Sequence, residues 1–447
     1  MPGEQSMPRT LPEVPVHSAP ARGILELEGG ESFPGTFFGG VHACHGEVVF
    51  NTGMVGYVES LTDPSYRGQI LTLTYPLIGN YGVASFAPTS SCFQSDGIQV
   101  RALIVSSYTE THSHRDGELS LGDWLRAEGI VGLAGVDTRE LTRLLRNRGT
   151  MLGRIRITDA RPGLVDDAGV ARHAITAAAC EHRSAIPDPN ATHLVAEVST
   201  RDVRYDPHPA AEDEDPARNT ACLPGPHIVV VDCGCKRSIL RELRERGCRL
   251  TIVPHDHDLC AIPCDGMLLS NGPGDPVLCE ATVRQVAARL AEVERLDVDD
   301  RPPLAGICLG NQLLARAAGA RTYKLPYGHR GQNQPVRRIG SQRCYITSQN
   351  HGYAVDGDSL PEGWEVWYEN LNDGTVEGIR HSRLPFFAVQ FHPEGAPGPL
   401  DARDFFDAFL SAARRAQQRR QSTGAGAAGA AAGSAAGSEA LREAARP

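Results

Sequence analysis

The chain has 447 residues, of which 41% are hydrophobic and 22% are charged, and its formal net charge is −10 at pH 7. This length and balance predict a globular protein of two or three domains with a sizeable core. The negative charge argues against a nucleic acid or an anionic membrane as a partner, and no apolar run approaches the length of a membrane-spanning helix.

The chain contains 12 cysteines, which lack the regular spacing of a disulfide framework, and no secretory signal precedes them. We therefore expect mostly free thiols in a reducing compartment and a cytoplasmic location. The pairs Cys233/Cys235 and Cys260/Cys264 lack the spacing of paired zinc knuckles, so the sequence predicts no metal site.

The first half of the chain alternates short strands with glycine turns. Residues 1–22 are rich in proline and predict a disordered leader. Residues 23–200 then predict a strand-rich α+β domain with a helix that Asp137 caps and Gly149 ends. A second helix is predicted over about 164–181.

The second half of the chain has a different pattern, in which strands alternate with helices. Residues 201–225 are polar and proline-rich, include an acidic run, and predict a solvated interdomain linker. Residues 226–417 alternate fully apolar strands with helices, which predicts a doubly wound, mostly parallel sheet. Residues 418–447 are rich in alanine and glycine and predict a disordered tail.

Cys308 stands in the pattern Gly-x-Cys-x-Gly between an apolar strand and a helix-forming stretch. This pattern is typical of a nucleophile elbow, in which a sharp strand-to-helix turn presents the nucleophile. The N-terminus of the following helix would favour the thiolate over the thiol. A buried structural cysteine beside a glycine-rich turn explains the same five residues equally well.

A second motif favours the nucleophile. A strand near residue 390 ends in His392-Pro393-Glu394. Residues i and i+2 of an extended chain face the same side, so Glu394 can orient the His392 imidazole, and that imidazole can accept the proton of Cys308. The carboxyl ends of parallel strands would gather these groups at one edge of the sheet. The sequence therefore predicts a Cys-His-Glu catalytic triad.

The turn 270–276 follows a predicted strand and holds Gly272 and Gly274. In isolation it indicates a plain tight loop. Beside Cys308, the N–H groups of Gly272 and Leu309 are candidates for an oxyanion hole. The polar stretch 348–353 could hold an amino-acid substrate.

Several motifs together resemble one family. Those around Cys308, the 270–276 turn and His392 are similar to class I glutamine amidotransferases of the triad type. The stretches 50–57, 61–66, 73–80 and 136–139 resemble the small subunit of carbamoyl-phosphate synthase. The resemblance covers about residues 23–412 and implies a class I amidotransferase fold for the second domain.

The resemblance implies that the chain hydrolyses L-glutamine with Cys308 as nucleophile, His392 as base and Glu394 as its orienting group. It also implies a cytoplasmic heterodimer with a large subunit, which makes carbamoyl phosphate from bicarbonate and ATP for arginine and pyrimidine synthesis. No cofactor is expected in this chain, since ATP and its metal would bind the large subunit. The residues expected to bind glutamine are Gly53, Gly272, Gly274, Leu309, Gln312, Asn350, Gly352 and Tyr353.

The sequence departs from the family pattern at a few positions. Asn311 stands where histidine is usual, Gly53 where serine is usual, and Tyr353 where phenylalanine is usual. Residues 395–396 read Gly-Ala in place of Ala-Ser. Two alternative functions stay open: an amidotransferase subunit of another synthetase, such as those of anthranilate, GMP or CTP synthesis, and a docking subunit that has lost catalysis.

Overall fold

A computed structural model describes residues 20–84, 92–158, 185–206 and 225–422. These residues belong to two compact units. The barrel unit comprises residues up to 189, except two short segments. The sheet unit comprises residues from 190 onward together with those segments, Asp63–Arg67 and Phe93–Ser95. The predicted helix over 164–181 lies outside the described residues, as do most of the predicted leader, linker and tail.

Seven short strands make up the barrel unit: β1 (Arg22–Leu27), β2 (Ser32–Phe37), β3 (Cys44–Asn51), β4 (Gln69–Leu73), β5 (Ala102–Val105), β6 (Val131–Ala134) and β7 (Met151–Ile157). They close into a barrel in the order β1-β2-β6-β5-β4-β3-β7. The strands β3 to β6 pair in parallel, and the remaining pairs are antiparallel. This confirms the strand-rich N-terminal domain.

The helices of this unit are α1 (Tyr57–Leu61), α2 (Leu121–Ala127) and α3 (Thr138–Arg148). The predicted cap of α3 is present, since the Asp137 side chain accepts a hydrogen bond from the Glu140 N–H at 2.9 Å. Leu141 and Leu145 form its buried stripe, and Gly149 ends the helix with a φ of 96°.

The sheet unit contains ten strands: β8 (Arg204–Asp206), β9 (His227–Asp232), β10 (Arg249–Pro254), β11 (Gly266–Leu269), β12 (Leu304–Ile307), β13 (Thr322–Arg338), β14 (Cys344–Val355), β15 (Trp364–Asn370), β16 (Val376–His381) and β17 (Phe386–Val389). Their order is β14-β13-β15-β16-β17-β12-β11-β9-β10-β8. The central strands β17, β12, β11, β9 and β10 are parallel. Antiparallel strands extend this parallel core at both edges.

The helices of the sheet unit are α4 (Leu194–Val198), α5 (Arg237–Glu245), α6 (Glu280–Arg295), α7 (Leu309–Ala318) and α8 (404–422). They cover both faces of the sheet, as the side chains of β9 show. Ile228 and Val230 pack in one apolar cluster with α5 and α8, while Val229 and Val231 pack in the other with α6 and α7. The predicted doubly wound fold is therefore confirmed. Helix α8 continues to residue 422 and so includes the first residues of the predicted tail, 418–422.

No helix within the described ranges is both long enough and apolar enough to cross a bilayer.

Candidate active site

Cys308 occupies the sharp turn between β12 and α7. Its φ of 55° is the one positive value found at a non-glycine position in the described part of the chain. Such a backbone conformation is costly for a residue with a side chain and is concentrated at functional sites. The Cys308 N–H bonds to the Val389 carbonyl at 2.9 Å, and α7 begins at the next residue. The predicted elbow is therefore present.

The two glycines that flank Cys308 are required by close backbone contacts. A Cβ on Gly306 would lie 2.5 Å from the backbone of Gly310. A Cβ on Gly310 would lie 2.2 Å from the carbonyl oxygen of Leu269 on β11. Since real Cβ contacts are not this short, both positions need glycine for the strand and the helix to approach each other.

His392 and Glu394 follow β17 and lie beside Cys308 in the sheet unit. The Nδ1 atom of His392 is 2.7 Å from Oε1 of Glu394, and both side chains are buried. The backbone N–H of His392 donates to the Ser348 carbonyl at 2.8 Å, which connects this loop to β14. The thiol of Cys308 lies against the same strand, with Sγ 3.6 Å from the carbonyl oxygen of Asn350.

The buried charges shift the pKa values of both groups. Burial alone lowers the pKa of His392, but Glu394 and Cys308 more than offset this and raise it to about 10. Burial raises the pKa of Glu394, but Lys236 and His392 outweigh it and lower that pKa to about 2. The geometry therefore favours a charged imidazolium beside a carboxylate, which is the form that stabilises a thiolate.

Lys236 completes the charge arrangement and was not predicted from the sequence. Its Nζ lies 2.8 Å from Oε1 of Glu394, and its side chain is only 2% exposed. Burial lowers the pKa of Lys236, but the negative charges of Glu394 and Asp63 reverse this and raise it. Since Oε1 of Glu394 accepts from both Lys236 and His392, the lysine fixes the carboxylate that orients the imidazole.

The position of Lys236 at the start of α5 depends on Gln94. The carbonyl oxygen of Gln94 accepts from the Arg237 N–H at 3.0 Å, and its side-chain Oε1 accepts from the Ser238 N–H at 3.2 Å. These bonds satisfy N–H groups that have no acceptor within the helix. The Lys236 N–H in turn bonds to Oδ1 of Asn271 at 3.0 Å.

The segment Asp63–Arg67 also contributes to the site. Oδ2 of Asp63 accepts from Nδ2 of Asn350 at 3.0 Å, which fixes one of the residues predicted to bind glutamine. Nδ2 of Asn271 donates to Ser65 Oγ at 2.9 Å and lies 3.4 Å from Oδ1 of Asp63. Asp63 and Ser65 stand in the 61–66 stretch that carries the family resemblance, but the sequence alone predicts no role for either residue.

The polar side chains on α7 form a buried chain of hydrogen bonds. Nε2 of Gln312 donates to the Tyr353 carbonyl at 2.9 Å and lies 3.2 Å from Oε1 of Gln390. Nδ2 of Asn311 also donates to Gln390 Oε1, at 3.2 Å. Asn311, at the position where histidine is usual, thus donates to Gln390, which is not a member of the triad. Gln312 holds the strand that carries Tyr353 and Gly352.

The residues predicted for the oxyanion hole meet at the turn after β11. A Cβ on Gly272 would lie 2.0 Å from the carbonyl oxygen of Cys233 and 2.9 Å from the side chain of Leu309, so this backbone passes close to the elbow. Leu309 is the first residue of α7, where the N–H has no intrahelical acceptor. Gly274 has a φ of 88°, which favours glycine. The donor role of these N–H groups stays a prediction.

Gly53 is the one predicted glutamine-binding residue that belongs to the barrel unit. Its N–H bonds to Oδ1 of Asn51 at 2.6 Å. Its role in binding glutamine stays a prediction. All other predicted site residues belong to the sheet unit.

One further group in the described residues could hold a metal ion. It consists of His329, His351 and Glu377, which are all buried. The sequence alone predicts no metal site, and the pairs Cys233/Cys235 and Cys260/Cys264 contribute no atom to this group.

Two family descriptions match the chain. Residues 25–155 match the carbamoyl-phosphate synthase small chain, CPSase domain, and residues 229–412 match glutamine amidotransferase class-I. These ranges include most of the barrel and the elements that carry Cys308, His392 and Glu394.

Curated relatives are similar over most of the chain. The carbamoyl phosphate synthase arginine-specific small chain of Aspergillus oryzae is 41% identical over 400 residues, which is 88% of this chain and 81% of that protein. The multifunctional protein ura1 of Schizosaccharomyces pombe is 43% identical over 404 residues, or 88% of this chain. The multifunctional protein CAD of Squalus acanthias is 43% identical over 395 residues, or 87%. The chain spans only 17% and 16% of the lengths of these two multifunctional proteins.

Proposed function

The chain belongs to the carbamoyl-phosphate synthase small-chain family, and from this membership we propose that it hydrolyses L-glutamine to glutamate and ammonia. The observation that carries the proposal is the elbow itself: a strained Cys308 with a φ of 55°, beside a buried imidazole that a carboxylate orients at 2.7 Å. A purely structural cysteine requires neither a strained backbone nor a charged imidazole beside its thiol.

In the first step, the Cys308 thiolate attacks the carboxamide carbon of glutamine, and the carbonyl oxygen becomes an oxyanion. The N–H groups of Gly272 and Leu309 would stabilise this negative charge. The protonated His392 then donates its proton to the amide nitrogen as the carbon–nitrogen bond breaks. The products of this half-reaction are ammonia and a thioester between glutamate and Cys308.

In the second step, neutral His392 accepts a proton from water while the water oxygen attacks the thioester carbon. Collapse of this intermediate breaks the carbon–sulfur bond and releases glutamate and the thiolate. Glu394 stays ionised throughout and keeps Nδ1 of His392 protonated, so Nε2 exchanges the proton. Lys236 acts only through Glu394, as a positioning residue.

We further propose that ammonia passes to a carbamoyl-phosphate synthase large subunit, which combines it with bicarbonate and ATP for arginine or pyrimidine synthesis. The family membership supports a large-subunit partner, and the small chain of Aspergillus oryzae is named as arginine-specific. The thiol chemistry of this chain requires neither ATP nor a metal. The eight described cysteines from Cys233 to Cys344 are free thiols, which supports action in the reducing cytoplasm.

One assay separates this function from its alternatives. Glutamate release is measured with the purified chain alone, and then with a large subunit, bicarbonate and ATP. Strong stimulation together with carbamoyl phosphate formation is the expected result. Stimulation only by another synthetase would instead identify that enzyme as the partner that receives the ammonia. No hydrolysis under any condition would indicate a docking subunit without catalysis.

A further inference from the structure

We propose that His329, His351 and Glu377 bind a divalent first-row transition metal ion, with zinc as the reference ion. The three side chains lie on β13, β14 and β16, and each offers one ligand atom within 4.8 Å of the others. Ligands about 2.1 Å from a tetrahedral ion are roughly 3.4 Å apart, so the widest separation in the group has to shorten by up to about 1.4 Å. His329 and His351 are direct neighbours in the β13–β14 register.

His351 has more acceptors around it than a neutral ring can satisfy. Its Nδ1 is 2.8 Å from the Tyr353 carbonyl oxygen, and its Nε2 is 3.1 Å from Oε1 of Gln349. A neutral imidazole carries a single N–H, so one nitrogen lone pair must face an oxygen lone pair. An ion on Nε2 removes that conflict, because Nδ1–H then donates to Tyr353 and the Gln349 oxygen also faces the cation.

The side-chain amide of Gln349 is held in this orientation. Its Nε2 donates to Thr347 Oγ1 at 3.1 Å, while that hydroxyl donates its own proton to the Gln334 carbonyl at 2.9 Å. Since the hydroxyl has only one proton, it must act as the acceptor for the amide. Rotating the amide would place its oxygen against the oxygen of Thr347. Gln349 therefore presents an oxygen, and not an N–H group, to His351.

His329 has the arrangement that is typical of a metal-ligating histidine. Its Nε2 lies 2.9 Å from Oδ2 of Asp373, and its Nδ1 faces Oε1 of Glu377 across a longer gap of 3.4 Å. Histidine ligands commonly bind the ion through one nitrogen and donate the other N–H to a carboxylate. The rings of His329 and His351 meet edge to face with their centres 5.0 Å apart.

Glu377 supplies the negative charge. It is 0% exposed, and its Oε1 accepts from Nδ2 of Asn370 at 2.8 Å. Its Oε2 has no hydrogen-bond partner among the residues described. A buried carboxylate oxygen without a partner is costly, and a cation is the partner that would offset this cost best.

The donor set selects the class of ion. Two imidazole nitrogens, one carboxylate and a neutral amide oxygen suit zinc and its first-row neighbours better than calcium or magnesium, which prefer oxygen ligands throughout. His351 lies between Asn350 and Gly352, which are predicted to bind glutamine. We assign the ion a structural role: it fixes β14 beside the substrate.

The test uses the full chain, stripped with a chelator and reloaded with Zn²⁺, with bound zinc counted by elemental analysis. One tightly held ion per chain is expected. Co²⁺ is then titrated in place of zinc, because a cysteine site would add an intense near-ultraviolet thiolate band that this site lacks. Glu377→Gln and His329→Asn should abolish binding. Asp373→Asn, a milder change at an exposed residue, should weaken it about 10- to 100-fold.

The matched control is His255→Asn, which removes a buried histidine that also meets a second imidazole, His193, with ring centres 4.9 Å apart. This variant should bind zinc like the parent chain. Circular dichroism confirms that each variant is folded, and Asp373→Asn decides the test if the ligand variants fail to fold. The proposal is wrong if the parent chain retains no stoichiometric zinc, if Co²⁺ shows thiolate bands, or if folded Asp373→Asn or Glu377→Gln binds zinc normally.

Discussion

Lys236 and His392 share one carboxylate oxygen. Oε1 of Glu394 lies 2.8 Å from the lysine Nζ and 2.7 Å from the imidazole Nδ1, in a region that is almost fully buried. One anion is therefore held between two cations, and the catalytic imidazole is oriented by a carboxylate that is itself held in place.

The lysine can be tested with Lys236→Met, which keeps the length of the side chain and removes its charge. Breaking a buried ion pair in this way should destabilise the fold by about 3–5 kcal/mol and lower kcat for glutamine hydrolysis. Because Lys236 also lowers the pKa of His392, the basic limb of the pH–rate profile should move to higher pH.

Lys324→Met is the matched control, since the sequence contains only two lysines and Lys324 is exposed. It should leave stability and the pH profile nearly unchanged. A Lys236→Met enzyme with parental kcat and an unmoved basic limb would show that the lysine has no positioning role.

Cys308→Ser should abolish glutamine hydrolysis, because a serine hydroxyl is a far weaker nucleophile than a thiolate beside imidazolium. We expect a loss of at least about 10³-fold in kcat. The complex with the large subunit should still make carbamoyl phosphate from free ammonia. Cys344→Ser, which changes an exposed free thiol, should keep full activity. Continued use of glutamine by Cys308→Ser would reject the nucleophile assignment.

Stability should depend on pH through His392. Its pKa in the folded chain is raised to about 10 from an ordinary value of 6.5, so its contribution is complete below about pH 6.5 and is lost as the pH rises towards 10. The free energy of unfolding should therefore fall over this range more steeply in the parent chain than in His392→Gln. Denaturant titrations at several pH values measure both slopes, and equal slopes would contradict the prediction.

Gly310→Ala should disrupt the elbow, because the new Cβ would lie 2.2 Å from the Leu269 carbonyl oxygen, which is backbone and cannot rotate away. We expect a loss of about 1–3 kcal/mol or more in the free energy of unfolding, together with a large loss of kcat. Gly97→Ala is the control, since its Cβ would meet only the end of the Glu128 side chain, at 3.3 Å. Thermal midpoints and kcat for both variants provide the comparison.

Asp63→Asn removes the charge that holds Nδ2 of Asn350. A hydrogen bond to a charged group contributes about 1.5–3 kcal/mol, so we expect KM for glutamine to rise about tenfold or more with a smaller change in kcat. Asp258→Asn, at an exposed aspartate that caps a turn, should leave KM unchanged. An unaltered KM in Asp63→Asn would mean that Asn350 needs no such support.

The parts of the site that the sequence predicts are those carried by short, local patterns. Cys308 stands between two glycines at a strand-to-helix junction, and His392 and Glu394 are two residues apart on an extended segment. The fully apolar stretches of the second half also predict the parallel strands, because a strand that is buried on both faces requires apolar residues at every position.

The remaining parts depend on contacts between distant segments. Lys236 precedes α5 like any polar residue at a helix start, and nothing local indicates that its ammonium reaches Glu394, 158 residues away. Asp63 and Gln94 lie among barrel strands in the sequence but belong to the sheet unit. The rarity of lysine in this chain is one signal that could have singled out Lys236.

Because Asp63–Arg67 and Phe93–Ser95 belong to the sheet unit, no single position in the sequence separates the barrel unit from the sheet unit. A chimaera that joins the first 189 residues of this chain to the C-terminal half of a relative would pair a resident Asp63 with a foreign Asn350, and a resident Gln94 with a foreign α5. We therefore expect a chimaera of two relatives to be functional only when both short segments come from the same protein as the C-terminal half.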